Sequence, residues 1–249
     1  MKSVDFGEFE ITAREVIASV VIISIMILFG ITISNAITQE MLDKNEIYNK
    51  AVKIETAELF EYGMRTNVGN AFVSGDLKAV DTVSYPDING EYMYIERIKE
   101  RYTKHTRTVS HTRTVNGKTQ TYYTTETYWT WDRVGSESKH SNQISFNGVI
   151  FDYGKIQKPG ASYLGLKKES SHIRYKYYGT DTEFTGTIFT ELKDNTISDN
   201  SPFYNDKTVF EAYELVLQKY NAVIFWFFWI IVTGMLVFGF YYIDNRWLY

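Results

Sequence analysis

The sequence predicts a membrane protein of the α+β class: two transmembrane helices flanking a mainly β extramembrane domain, with a long protruding β-hairpin. Three observations predict it. Residues 16–39 and 220–243 are uncharged and largely apolar, the chain between them is broken into short aromatic and β-branched runs, and an Asn-Gly pair sits between two long alternating segments. The composition agrees with a folded chain of 249 residues, with 20 tyrosines and only 3 prolines. The 26 basic and 30 acidic residues leave a net charge of −4, so no global field favours nucleic acid, and no nucleic-acid partner is expected. There is no cysteine, which removes disulfide frameworks and thiolate metal sites.

Residues 1–15 read as a short cytoplasmic segment, and 16–37 as the first crossing. A hydrocarbon core roughly 30 Å thick needs about 20 apolar helical residues, because a helix satisfies its own backbone hydrogen bonds there. A cleaved signal peptide is not expected, since no A-x-A-like site follows and the run exceeds a signal h-region. The second crossing is 220–243, with 244–249 as a short cytoplasmic tail. Trp226 and Trp229 near one end, and Tyr241 and Tyr242 at the other, are read as membrane-interface anchors, because amphipathic rings favour the headgroup level. The balance of Lys2, Arg14 and Arg246 against Lys44, Lys50, Lys53, Lys207 and Lys219 does not choose an orientation. Termini inside a cell or virion membrane are preferred, because a long central loop translocates largely regardless of its charge.

Between the crossings, 38–67 carries apolar positions at Met41, Leu42, Ile47, Tyr48, Val52, Leu59 and Phe60 and is predicted as one juxtamembrane helix. From 68 to 206 the chain reads as strands and turns. Val, Ile and aromatic residues suit a pleated half-buried surface, and Gly, Asn and Pro supply the reversals. A helical stretch over 207–219 is expected to lead into the second crossing. No internal repeat stands out.

Asn116-Gly117 is the strongest local signal, because a two-residue type I′ turn needs positive φ at both positions. Pairing Val115 with Lys118 fixes the register of a hairpin arm over 100–133. Thr106, Thr108, Thr112, Thr114, Thr119, Thr121, Thr125 and Thr127 then share one face as a contact surface. Tyr102, Trp129 and Trp131 anchor the base of the arm. The other face sets Arg107 against Glu126, Arg101 against Asp132 and His105 against Tyr128, and agreement at several such pairs supports the register.

Catalytic chemistry is harder to find. His105 and His111 fall about 20 Å apart along a strand, too far for one metal ion, and no nucleophile-elbow, zincin or Walker pattern occurs. The Ser136, Ser138 and His140 neighbourhood is not expected to form a nucleophile with its base. Neither uncharged run contains an ionisable side chain of the kind that marks a conduction path. No cofactor and no metal site are expected.

The run SGDLKAVDTVSYPDINGEYMYIERIKERY, then ETYWTW, then ISFNGVIF, resembles the beside-a-membrane (GIDE-type) domain of two-pass membrane proteins. Gly75, Pro86, Gly90, Tyr94, Glu96, Glu100 and Trp131 would occupy comparable places. The resemblance implies a β domain between two spans. No RING segment follows the second run, so ligase activity is not implied; the chain is also similar in style to membrane proteins of phage, prophage and low-GC bacterial genomes. The expectation is a non-catalytic, extracytoplasmic domain that acts in binding or assembly, with the bilayer and either a second copy or another membrane or virion protein as partners. Two alternatives stand beside it: a membrane-active oligomer of the lysis or exclusion type, and an envelope-polymer hydrolase.

Overall fold

The computed structural model describes residues 3–5, 10–115 and 117–247. Asn116 of the turn, and parts of the two terminal segments (1–2, 6–9 and 248–249), lie outside the described residues. The chain is α+β with a mostly β core, and it divides into two compact units, Met1–Lys50 with Val216–Tyr249, and Ala51–Leu215.

The first unit opens with a small antiparallel pair, β1 (Ser3–Asp5) and β2 (Glu10–Thr12). Helix α1 (Ala13–Asn49) follows without interruption. Its partner α4 (Ala222–Trp247) closes the unit. Both are long and apolar enough to cross a membrane, with 11% and 0% of their apolar windows buried. Asn221 caps α4, its Oδ1 accepting from the backbone of Val223 (3.1 Å) and Ile224 (3.3 Å), as expected for an N-cap asparagine. Asn45 and Gln218 exchange hydrogen bonds, Asn45 Nδ2 donating to the Gln218 carbonyl and the Gln218 N–H donating to Asn45 Oδ1, both at 2.9 Å. The segment that leads into α4 is thereby tied to α1.

The second unit is layered. A seven-stranded sheet has the order β12-β11-β4-β7-β8, from Thr196–Ile197, Glu183–Lys193, Gly69–Ala79, Gln143–Phe146 and Val149–Asp152. Strand β3 (Val52–Ile54) adds in parallel to β4, and β13 (Phe203–Asn205) adds to β11. The pleat of β4 decides what covers each face. Ala71 and Val73 point to a core completed by α2 (Ala57–Thr66) through Phe60 and Met64, with Phe60 set edge-on to Phe146 at 5.6 Å. Phe72 points the other way, against Phe189 (4.8 Å) and Tyr213 (5.9 Å) of α3 (Val209–Val216).

Both helices are capped by side chains. Thr56 Oγ1 accepts from the Leu59 N–H, and Asn67 ends α2 in the left-handed region at φ 54°. Thr208 and Glu211 form a reciprocal capping box on α3, which satisfies N–H groups the helix leaves open.

A second, four-stranded sheet has the order β6-β5-β10-β9, with β5 at Tyr94–Val115, β6 at Lys118–His140, β9 at Ser162–Lys168 and β10 at Ile173–Thr180. Loop 80–92 closes over it, packing Tyr85 on Ile95 and Tyr177. Asp81, just after β4, holds the segment that leads from β6 into β7. Its carboxylate accepts from the backbone N–H of Asn142 and Gln143 and from Asn142 Nδ2, and these bonds hold it below the usual carboxylate range.

Two expectations about helices need correction. One helix over 38–67 is instead three elements: α1 runs on to Asn49, the chain pairs as β3, and α2 starts afresh. Thr56 supplies the N-cap that restarts it, and Val52 and Ile54 are β-branched residues that favour the strand. Likewise the helix expected over 207–219 stops at Val216 and does not run into the next, because Asn221 begins a new N-terminus.

Candidate interaction surface

Strands β5 and β6 pair antiparallel from Tyr94↔His140 to Val115↔Lys118. Beyond Arg101, which pairs with Ile173 at the start of β10, β5 has no strand partner but β6 among the described residues. The outer part is therefore a two-stranded ribbon. Its register sets Thr106↔Thr127, Thr108↔Thr125, Thr112↔Thr121 and Thr114↔Thr119, and all of these threonines are exposed. Ser110↔Tyr123 interrupts the threonine ladder, with Tyr123 at 70% exposure.

At the ribbon's base Tyr102 stacks on Trp129 (5.3 Å) and tilts onto Trp131 (5.1 Å). Its N–H donates to the His172 carbonyl at 2.9 Å, and the Arg174 guanidinium lies over Trp131 at 4.2 Å. Tyr102, Trp129 and Trp131 are thus brought together against β10. Beneath them Glu100 accepts from Arg174 Nε (2.6 Å) and Lys176 Nζ (2.8 Å). Burial alone would raise its pKa, but these two cations outweigh that and leave Glu100 below the usual carboxylate range.

The opposite face of the ribbon shows what the sequence reading missed. His105 stacks on Tyr128 and His111 on Tyr122, at 5.5 and 5.2 Å. Arg107 and Arg113 lie over the same two rings at 5.9 and 5.8 Å. Behind this lies a tandem hexapeptide in each strand: HTRTVS at 105–110 then HTRTVN, and TYYTTE at 121–126 then TYWTWD. The antiparallel register places the repeats opposite each other. Comparing each strand with itself at short offsets would have found them.

The register pair Arg101↔Asp132 stands as expected, but the side-chain contact lies elsewhere. Asp132 has Arg101 as its Cα partner, but its side chain leans diagonally to His105 Nε2 (2.5 Å) and accepts the Thr103 hydroxyl. The strand twist brings this diagonal within reach, and the shorter partners need less side-chain ordering than an arginine. Thr103 Oγ1 also lies 3.1 Å from His105 Nε2, so hydroxyl, imidazole and carboxylate form one hydrogen-bonded trio. Ser136 bonds Arg133 (2.6 Å), while the His140 ring lies flat on Tyr153 at 4.4 Å. Elsewhere a cleft of about 420 Å³ gathers Asp76, Asp181, Glu183 and Asp206. Asp76 there accepts from Thr185 (2.7 Å), and Glu183 pairs with Lys78 (3.3 Å). Among the described residues no group of His, Cys, Asp or Glu is arranged to hold a metal ion.

The two tryptophans read as interface anchors, Trp226 and Trp229, pack against α1. Trp229 donates its indole N–H to the Met26 carbonyl at 2.8 Å, near the middle of the uncharged stretch of α1. A Cβ added at Gly30 would lie 2.6 Å from Trp229 Nε1 and 2.9 Å from Trp226. Both rings face α1, because only glycine lets the indoles approach so closely. Tyr241 is half-buried and Tyr242 exposed, at the far end of α4.

No protein-family model, curated protein or solved structure matches this chain.

Proposed function

We propose that the chain is a two-pass integral protein of a cell or virion membrane. Its β-rich domain stands outside the cytoplasm, with both termini inside, and it acts without catalysis, by binding or assembly through the β5/β6 ribbon. The observation that carries this reading is the unburied apolar surface of both long helices. Leu28 is 67% exposed, Val223 78%, Ile230 68% and Met235 67%. At roughly 25 cal/mol per Å² such surfaces require an apolar solvent, which a bilayer supplies. The ribbon is the domain's most extended exposed feature, and its hydroxyl face suits contact more than chemistry.

The test has two parts. Alkaline carbonate should leave the protein in the membrane pellet, and replacing 104–129 by a short Asn-Gly turn should change its cross-linked size or abolish partner capture without releasing it. Release by carbonate overturns the membrane reading. Unchanged assembly and capture after truncation overturn the role of the ribbon.

A second reading, a membrane-active oligomer of the helices themselves, is favoured by one feature. Gly234 and Gly239 face open space, beside a groove of about 380 Å³ between α1 and α4 lined by Ile23, Ile27 and Ile230. Membrane leakage caused by the helices alone would favour it.

A further inference from the structure

Strand β6 is the terminal strand of its sheet and runs for 23 residues, against about five or six for an ordinary strand. Among the described residues it pairs only with β5. A long outer edge of this kind, carrying Tyr122, Tyr123, Tyr128 and Trp129 at 45–70% exposure, is a ready template for another strand. Proteins that keep such an edge alone usually place charges or proline along it, yet 119–125 contains neither.

We propose that the β6 edge over 118–132 pairs antiparallel with the same edge of a second copy, with Thr125 at the two-fold axis. The inference rests on the reading of the ribbon as an assembly surface and names its partner. A two-fold axis normal to the sheet keeps every side chain on its own face, so the edge must complement itself. With Thr125 on the axis it does. Lys118 of one copy falls opposite Asp132 of the other, Tyr122 opposite Tyr128, Thr121 opposite Trp129 and Thr119 opposite Trp131. The first pair is opposite in charge and the second joins aromatic rings, the kinds of cross-strand pair that stabilise sheets.

The charges needed are available. Lys118 has no ionic partner among the described residues, and both bonds to Asp132 fall on Oδ2, leaving Oδ1 to accept. The β5 edge offers no such match. Over 102–115 it carries Lys104, Arg107 and Arg113 and no carboxylate, so two β5 edges repel. A mixed β6-to-β5 contact would be open-ended, and it would have to share Glu126, which already holds Arg107 at 2.9 Å. The register one hexapeptide away, centred on Tyr122, matches Lys118 with Glu126 but spans only 118–126.

The absence of native cysteine gives a direct test. The full chain carrying Thr125→Cys, oxidised in its own membrane, should yield a disulfide dimer, because residues facing each other across an antiparallel pair lie within disulfide reach. Thr108→Cys, exposed on the β5 edge, should not. Lys118→Asp should lower the Thr125→Cys dimer yield about fivefold or more, and adding Asp132→Lys should restore it. Equal cross-linking at the two cysteines, or no recovery in the charge swap, overturns the proposal. If truncating the ribbon alters assembly while Thr125→Cys stays monomeric, this register fails and the wider role of the ribbon stands. A chain that is monomeric with or without its ribbon overturns both.

Discussion

The firmest consequences of single residues lie where space or charge is exhausted. On β4, a Cβ at Gly75 would fall 2.0 Å from Asn147 Oδ1, and Asn147 is itself committed, donating to the Ser74 carbonyl at 2.9 Å. Gly75→Ala should therefore destabilise the domain by about 1–3 kcal/mol through overpacking, read as a lower midpoint in urea. Glu100 sits between Arg174 and Lys176 at 8% exposure, and removing it strands two cations. Glu100→Ala should cost roughly 3–5 kcal/mol, measured by the same unfolding curve. The pH dependence follows from the sign of its shift. Its folded pKa lies below its unfolded value, so the stabilisation is complete above the ordinary carboxylate range and is lost as pH falls through the folded value. Asp81 acts in the same direction. The near-UV circular dichroism of Trp131 and Tyr102 should hold from pH 7 to about 5 and fade below about pH 4.

Among the elements, the ribbon was the most legible and the helices flanking the domain the least. Its register follows from Asn116-Gly117 and a strict period of two, and the pairs Tyr102↔Trp131 and Arg107↔Glu126 stand where that arithmetic puts them. The capped start of α2 was harder to read, because Thr56 looks like any other polar residue until the N–H groups around it are placed, whereas the Thr208-x-x-Glu211 spacing that starts α3 is written in the sequence. The diagonal from Asp132 to His105 depends on strand twist, which a flat ladder does not contain. For the helix pair, the close approach at Gly30 makes a specific demand. Gly30→Leu should separate α1 from Trp229 and expose the indole, shifting tryptophan emission and lowering the helices' resistance to dissociation in detergent. Trp229→Phe keeps the ring but loses the bond to Met26, and should cost only about 0.5–1.5 kcal/mol in the same measurement.

For the whole molecule, the two long helices carry the densest unburied apolar surface, while the ribbon combines hydroxyl-rich strands with exposed aromatic rings. The helices' share was visible from the two uncharged runs alone. The packing of the seven-stranded sheet was not, because α2 and α3 reach its opposite faces from distant parts of the sequence, with Phe72 and Val73 adjacent in the chain and facing different layers. Protease added to sealed vesicles or virions should cut either the termini or the loops of Ala51–Leu215, never both, if the two helices cross as proposed.

The tandem hexapeptides have a consequence for ancestry and for engineering. A ribbon made of repeated cassettes can lengthen or shorten by one His-Thr-Arg-Thr unit and its tyrosine-bearing counterpart without changing which side chains share a face, because six is an even number of pleats. Reach can therefore vary among descendants of this chain while the chemistry of the ribbon stays constant.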